Sequence, residues 1–250
     1  MWSKELELAK EAVKEAGEFL KKREAIRIDA LDGKDIKLSS DKMSEKIIMD
    51  VLGKSDIPIL SEEYGFKGEE SELCWIVDPL DGTINYFKGL DEFACVSVAL
   101  WQKDKPVLGV VYRFMKDELF YGCEGEGAYL NGEEIHPSGI KETAQAVMAT
   151  GFPVKRSYET ESLNKFVRQV QCFKKVRMLG AAAIMGTFVS CGRLDAYFED
   201  EIMLWDIAGA VAIVNAAGGA TSLEVLEDNK CLCKCFATKE LMEDYYAKSL

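Results

Sequence analysis

The chain has 250 residues, 48% of them hydrophobic and 30% charged, with a formal net charge of −12. That length and apolar content support one large domain or two small units with a sizeable core, while the acidic balance argues against nucleic acid or an anionic membrane as a partner. A small phosphorylated substrate stays compatible, because bound divalent cations invert the local field of an acidic site.

The N-terminal stretch MWSKELELAKEAVKEAGEFLKK lacks both the uninterrupted apolar run and the small-residue cleavage site of a signal peptide. No run reaches the roughly 20 apolar residues of a membrane span, which points to the cytoplasm. Leu6, Ala9, Val13, Ala16 and Leu20 fall at helical spacing and predict an amphipathic helix over residues 5–20. SSDKMSEKIIMDVLG predicts a second helix from Asp41 to Gly53, with Ile47, Ile48, Val51 and Leu52 inward, and IPIL a short buried strand ending at SEEYG.

Between Leu73 and Gly132 the segments LCWIVD, FACVSVALW, PVLGVVYRF, ELFYGC and GAYLNG predict strands joined by short turns, and so a largely antiparallel sheet. Beyond residue 140 strands alternate with helices: AVMATG, the helix ETESLNKFVRQVQCF, KKVRMLG, the small-residue helix AAAIMGTFVSCG, LDAYFE and the apolar helix in WDIAGAVAIVNAAGG. This pattern places an N-terminal α+β unit over residues 1–138 and a C-terminal mixed α/β unit over residues 139–250. In CLCKC, the thiols of Cys231, Cys233 and Cys235 fall on one face of a strand. The spacing is not C-x-x-C and the chain's one histidine, His136, is remote in sequence, so these read as strand residues, not metal ligands.

Five acidic residues sit where apolar elements end. Glu62 and Glu63 follow IPILS, Asp78 ends LCWIV, Asp81 follows the Pro79-Leu80 turn, and Asp206 opens the apolar helix. Taken singly, each has an ordinary explanation, since Asp-Pro-Leu-Asp-Gly is good turn chemistry and Asp41 and Asp206 suit helix N-caps. Together they form a set that needs a counter-charge, and magnesium favours carboxylate oxygens, water and phosphate. If a helix starts after Asp81, the N–H groups of Gly82 and Thr83 face outward as an anion site, and the Thr83 hydroxyl can orient a water. Metals and a phosphate cradle in one loop point to phosphate-ester hydrolysis.

WIVDPLDGTINYFKGL resembles the D-P-[IL]-D-G-T-x-N-[FY] signature of the inositol monophosphatase family, within the lithium-sensitive, magnesium-dependent phosphatases, and WDIAGAVAIVNAAGG resembles its second signature. LSEEYG, the central hairpin region and GRLDAYFE follow the family's order, so the resemblance covers nearly the whole chain. It implies an αβαβα layered sandwich, an antiparallel-sheet half packed on a mixed α/β half, usually a homodimer. It implies two to three Mg2+ ions. Glu62, Asp78 and the Leu80 carbonyl would hold the first and Asp78, Asp81 and Asp206 the second, with a third ion near Glu62 through waters.

The same resemblance implies that Thr83 acts with Asp41 and Glu62 to activate the attacking water, and that Gly82 and Thr83 bind the phosphate. Asp81, Ala182, Glu199 and Asp206 fall where the family contacts substrate. The implied activity is hydrolysis of a small phosphorylated polyol, inositol monophosphate first. The alternatives are fructose 1,6-bisphosphate or dual sugar specificity and, further off, adenosine 3′,5′-bisphosphate, histidinol phosphate or a regulator without catalysis. The chain departs from the family pattern at Leu38, where threonine is usual, at Ala181, which lacks a hydroxyl, and at Arg113-Phe114, where an acidic or amide residue and a proline are common. None of these departures removes a metal ligand.

Overall fold

The periodicity of the first fifty residues becomes two helices that share one apolar seam. In the computed structural model, which describes residues 2–24, 26–32, 35–152 and 158–249, α1 (Ser3–Lys21) buries Ala9, Ala12, Val13, Ala16 and Leu20. A hairpin of β1 (Ile28–Asp32) and β2 (Asp35–Leu38) leads into α2 (Ser39–Leu52). The sequence pattern did not single out that hairpin. The α2 helix starts two residues earlier than expected, so Asp41 is its third residue and not its cap. Ile48, Val51 and Leu52 are buried as predicted, whereas Ile47 is only partly so.

The next strands are β3 (Ile59–Ser61), β4 (Gly65–Lys67) and β5 (Leu73–Asp81), and the short helix α3 (Thr83–Lys88) follows. The sheet continues through β6 (Cys95–Gln102), β7 (Lys105–Arg113), β8 (Glu118–Cys123), β9 (Gly127–Leu130) and β10 (Glu133–Glu134). Its order is β10-β9-β8-β7-β6-β5-β3-β4, antiparallel throughout except where β3 runs parallel to β5.

The C-terminal part comprises β11 (Val147–Ala149), α4 (Thr160–Gln171), β12 (Lys175–Arg177), α5 (Ala182–Ser190), β13 (Ala196–Met203), α6 (Leu204–Ala216), β14 (Ala220–Val225), β15 (Lys230–Phe236) and α7 (Lys239–Ser249). Its five strands order as β12-β11-β13-β15-β14, with parallel and antiparallel neighbours mixed.

The layers follow from which helix faces are apolar. The α1–α2 pair covers one face of the eight-stranded sheet through β5, β6 and β7, and α5 with α6 covers the other. The same α5–α6 pair packs on β13 and β15 of the second sheet, whose strand β15 also meets α7. The result is helix, sheet, helix, sheet, helix, the layered sandwich that the family resemblance implies. A helix clamped between two sheets must be apolar all round, and α6 buries every residue from Ile207 to Val214. Small residues let it approach closely: a Cβ on Gly109 of β7 would stand 2.2 Å from the Gly209 carbonyl oxygen of α6.

β5 corrects one expectation. The strand does not stop at Asp78 but runs through Pro79 and Leu80 to Asp81. Its pairing with β6 slips there: Asp78 faces Ser97 and Asp81 faces Cys95, so three residues on one strand advance against two on the other. Pro79 has no N–H to give the ladder, and the added residue makes a bulge. Side chains three apart on a regular strand point to opposite faces. The bulge cancels that alternation and turns both aspartates to one side.

Candidate active site

The site forms where β3, β5 and β13 end and α2, α3, α5 and α6 begin. Asp41 and Asp206 are the third residues of α2 and α6, and each carboxylate accepts a hydrogen bond from the N–H three residues back, Leu38 at 2.6 Å and Met203 at 3.3 Å. An acid at this position satisfies a free N–H and faces the positive end of the helix dipole. Neither aspartate is an N-cap residue itself; the N-caps are Leu38 and Met203.

Asp78 accepts from the Leu80 N–H at 3.0 Å, which folds the carboxylate back over the bulge. Asp81 reaches across to the C-terminal part, where its two oxygens accept from the N–H groups of Ala182 (3.1 Å) and Ala183 (2.8 Å) at the start of α5. The Cys95 thiol lies 3.6 Å from the same carboxylate. The Thr83 hydroxyl lies 3.2 Å from Asp41 Oδ1 and 3.0 Å from the Leu80 carbonyl oxygen, and its one proton serves one acceptor at a time.

Gly82 has φ +84°, and a Cβ there would stand 2.5 Å from the Phe93 carbonyl oxygen and 3.2 Å from the Ala181 Cβ. Glycine is therefore required on two counts. The Asn85 side chain donates to the Phe93 oxygen at 2.9 Å and to the Leu179 oxygen at 2.8 Å, tying α3 to the segment before α5.

Electrostatics joins the acids into one set. Burial, then Glu62, Asp81 and Asp206, hold the Asp78 carboxyl well above the usual range. Burial, then Glu62, Asp81 and Glu199, do the same to Asp206. Burial with Glu63 and Asp41 as neighbours pushes Glu62 up to about 8. Burial raises Asp41 to about 7 against the Leu38 N–H and the Thr83 hydroxyl, and raises Asp81 to about 6 against the Ala183 and Ala182 N–H groups. Like charges withdrawn from water oppose one another's ionisation.

No three His, Cys, Asp or Glu side chains among the described residues stand close enough to hold a metal ion as they are placed. Backbone N–H groups hold the Asp41, Asp78, Asp81 and Asp206 carboxylates instead. What fits a divalent cation is the donor set: hard carboxylate oxygens, mutually repelling, with the Leu80 carbonyl beside them and His136 remote, paired on the surface with Glu134.

The remaining expected substrate residues lie around this rim. Ala182 is the first residue of α5, and Glu199 on β13 is buried, accepting from the Tyr197 hydroxyl at 3.0 Å. Arg113 instead joins an ion cluster. It pairs with Glu118, donates to the Glu92 carbonyl oxygen at 2.6 Å and lies 5.0 Å over the Phe188 ring, while Arg193 holds Glu118 at 2.6 and 2.9 Å. Cys231, Cys233 and Cys235 share one fully buried face of β15 as predicted, and burial raises the thiols of Cys231 and Cys233. Such thiols are poor metal ligands.

Ser44 and Glu45 escaped the sequence reading. Both are polar residues on the buried face of α2, at three and four residues from Asp41. Helical spacing alone could have flagged them, as polar side chains on a face that also carries Ile48, Val51 and Leu52.

The layered fold is that of the inositol monophosphatase-type phosphatases, as comparison with known proteins shows. The sequence profile of the inositol monophosphatase family matches residues 1–232. A Nus factor SuhB of Pasteurella multocida (strain Pm70) is 35% identical over 225 residues, which cover 86% of this chain and 83% of the relative. An inositol monophosphatase from Anabaena (Nostoc) sp. PCC 7120 superimposes with a TM-score of 0.83 at 29% identity, covering 98% of this chain and 94% of that one. The extragenic suppressor protein suhB from Bartonella henselae gives a TM-score of 0.86 at 27% identity, with 98% and 97% covered. The chain belongs to the inositol monophosphatase family.

Proposed function

We propose that the protein is a Mg2+-dependent phosphomonoester hydrolase acting on a small phosphorylated polyol, inositol monophosphate first. The observation that carries this reading is the Thr83–Asp41 contact at 3.2 Å beside the buried Asp78, Asp81 and Asp206 and the partly exposed Glu62, acids that oppose one another's ionisation. Glu62, Asp78, the Leu80 carbonyl, Asp81 and Asp206 would hold the two to three ions. Bound Mg2+ supplies a water of lowered pKa and neutralises charge on phosphate and leaving group.

The chain's own residues do the rest. Thr83 Oγ orients the water, and Asp41, raised to about 7, is poised to take its proton near neutral pH. The N–H groups of Gly82 and Thr83, at the start of α3, would donate to the phosphate oxygens. Ala182 and Glu199 line the side where the alcohol sits. A homodimer in the cytoplasm completes the reading.

A regulatory role is the second reading, favoured by the Nus factor name of the P. multocida relative. A relative without catalysis should have lost at least one of Glu62, Asp78, Asp81, Thr83 and Asp206; the sequence keeps all five, which favours catalysis. The deciding experiment is a phosphate-release panel with and without Mg2+: inositol 1-phosphate, fructose 1,6-bisphosphate, adenosine 3′,5′-bisphosphate and histidinol phosphate. Mg2+-dependent turnover of inositol 1-phosphate above the others supports the proposal. Turnover of none would move the assignment to the regulatory reading.

A further inference from the structure

We propose that Glu45 is a positioning residue for Glu62, an inference that rests on the hydrolase reading above. Glu45 is completely buried on α2, one turn beyond Asp41. Its Oε1 accepts from the N–H groups of Glu63 and Tyr64, each at 3.2 Å, the two residues that follow Glu62. Its Oε2 is buried with no hydrogen-bond partner among the described residues, although the Ser61 hydroxyl, itself 3.5 Å from the Gly65 carbonyl oxygen, is nearby. A buried carboxylate costs free energy unless its bonds return it, and bonds from N–H groups to a charged acceptor are stronger than neutral ones.

The same face of α2 fastens each of the other turns. Asp41 faces Thr83 at 3.2 Å, and the Ser44 hydroxyl donates to the Pro79 carbonyl oxygen at 2.7 Å, inside the bulge between Asp78 and Asp81. On the outer side, Lys37 Nζ pairs with Glu63 at 2.9 Å, and the Glu62 N–H reaches the Val77 oxygen at 3.3 Å. Three polar side chains at positions i, i+3 and i+4 of one helix thus hold the Asp78–Asp81 bend, Thr83 and the Glu62 turn in a fixed mutual arrangement. Glu45 is the one that reaches the Glu62 turn. Its removal frees two N–H groups and lets the Glu62 carboxylate drift from Asp78.

The test compares wild type with Glu45→Ala, Glu45→Asp and Glu45→Gln. Thermal stabilisation by Mg2+ and Mg2+-dependent phosphate release are each read as the Mg2+ concentration giving half the effect. Supporting groups behind metal ligands change metal affinity by about 10–100-fold when lost, so Glu45→Ala should raise that concentration by about 10–100-fold in both readouts. Glu45→Gln keeps an acceptor oxygen for both N–H groups and should stay near wild type. Should Glu45→Ala fail to fold, Glu45→Asp decides: it keeps the charge, falls one methylene short of the turn, and should shift the same way. A folded Glu45→Ala or Glu45→Asp with an unchanged Mg2+ requirement, in a protein whose wild type responds to Mg2+, overturns the positioning role alone. A wild type without any Mg2+ response overturns the hydrolase reading and this inference with it.

Discussion

Lowering the pH in the absence of divalent cations should stabilise this protein, the reverse of ordinary acid denaturation. A carboxyl whose folded pKa lies above its unfolded value binds more protons in the folded state, so stability falls as pH rises through that interval. Asp41, at about 7 when folded, would return about 2 kcal/mol between about pH 8 and about pH 5.5. Glu62, at about 8, acts in the same direction, and so do Asp78 and Asp206. Glu62 is partly exposed and titrates together with its neighbours, so the set is assigned about 3 kcal/mol in total.

For a chain of this size that corresponds to a Tm higher by about 6–12 °C at the lower pH. Competing groups titrate outside the window. Burial pushes Glu118 up, but Arg193 and Arg113 pull it below the usual range, so its contribution is lost only at pH below the interval. The assay is thermal unfolding in a chelator across the pH range, repeated with Mg2+. Binding to the folded state alone stabilises by mass action, so Mg2+ should raise the Tm most at pH 8, where the carboxylates are ionised, and flatten the pH dependence. A Tm that is flat or falls toward pH 5.5 in chelator, or a Mg2+ shift equal at both ends, would refute the reasoning.

Other outcomes follow from single contacts. Thr83→Ala should lower kcat by about 10²–10⁴ with little change in Tm, the range for losing a positioned proton-transfer group; steady-state kinetics on inositol 1-phosphate reads it. Gly82→Ala forces a side chain onto φ +84° and against the Phe93 carbonyl oxygen. Left-handed backbone alone costs about 1–2 kcal/mol, so its Tm should drop by at least about 2–4 °C, and an unchanged Tm would contradict the geometry. Arg113→Met should lower stability by leaving Glu118 with Arg193 alone, and should leave the ranking of substrates unchanged in the release panel.

How much of this was legible in the sequence differs from residue to residue. Helix and strand periods placed α1, α2, the five central strands and the apolar α6, because one-sided or two-sided burial writes itself into the spacing of apolar residues. The β1–β2 hairpin and α7 left little such pattern. Asp78 and Asp81 were visible as a pair, and the family resemblance supplied their roles. That they share a face was not visible, since a three-residue gap on a strand normally separates faces and only pairing with β6 exposes the bulge. Likewise α2 showed its apolar stripe, but what Ser44 and Glu45 hold depends on turns that lie 18 or more residues away in sequence.

The most direct measurement is phosphate release from inositol 1-phosphate by wild type and by Asp78→Asn at saturating Mg2+. Asp78 is a buried carboxylate whose ionisation Glu62, Asp81 and Asp206 all oppose. Removing its charge relieves repulsion, so the variant should fold at least as well in chelator while Mg2+-dependent release falls to background. Release by Asp78→Asn at the wild-type rate would contradict the assignment of this carboxylate set as the catalytic centre.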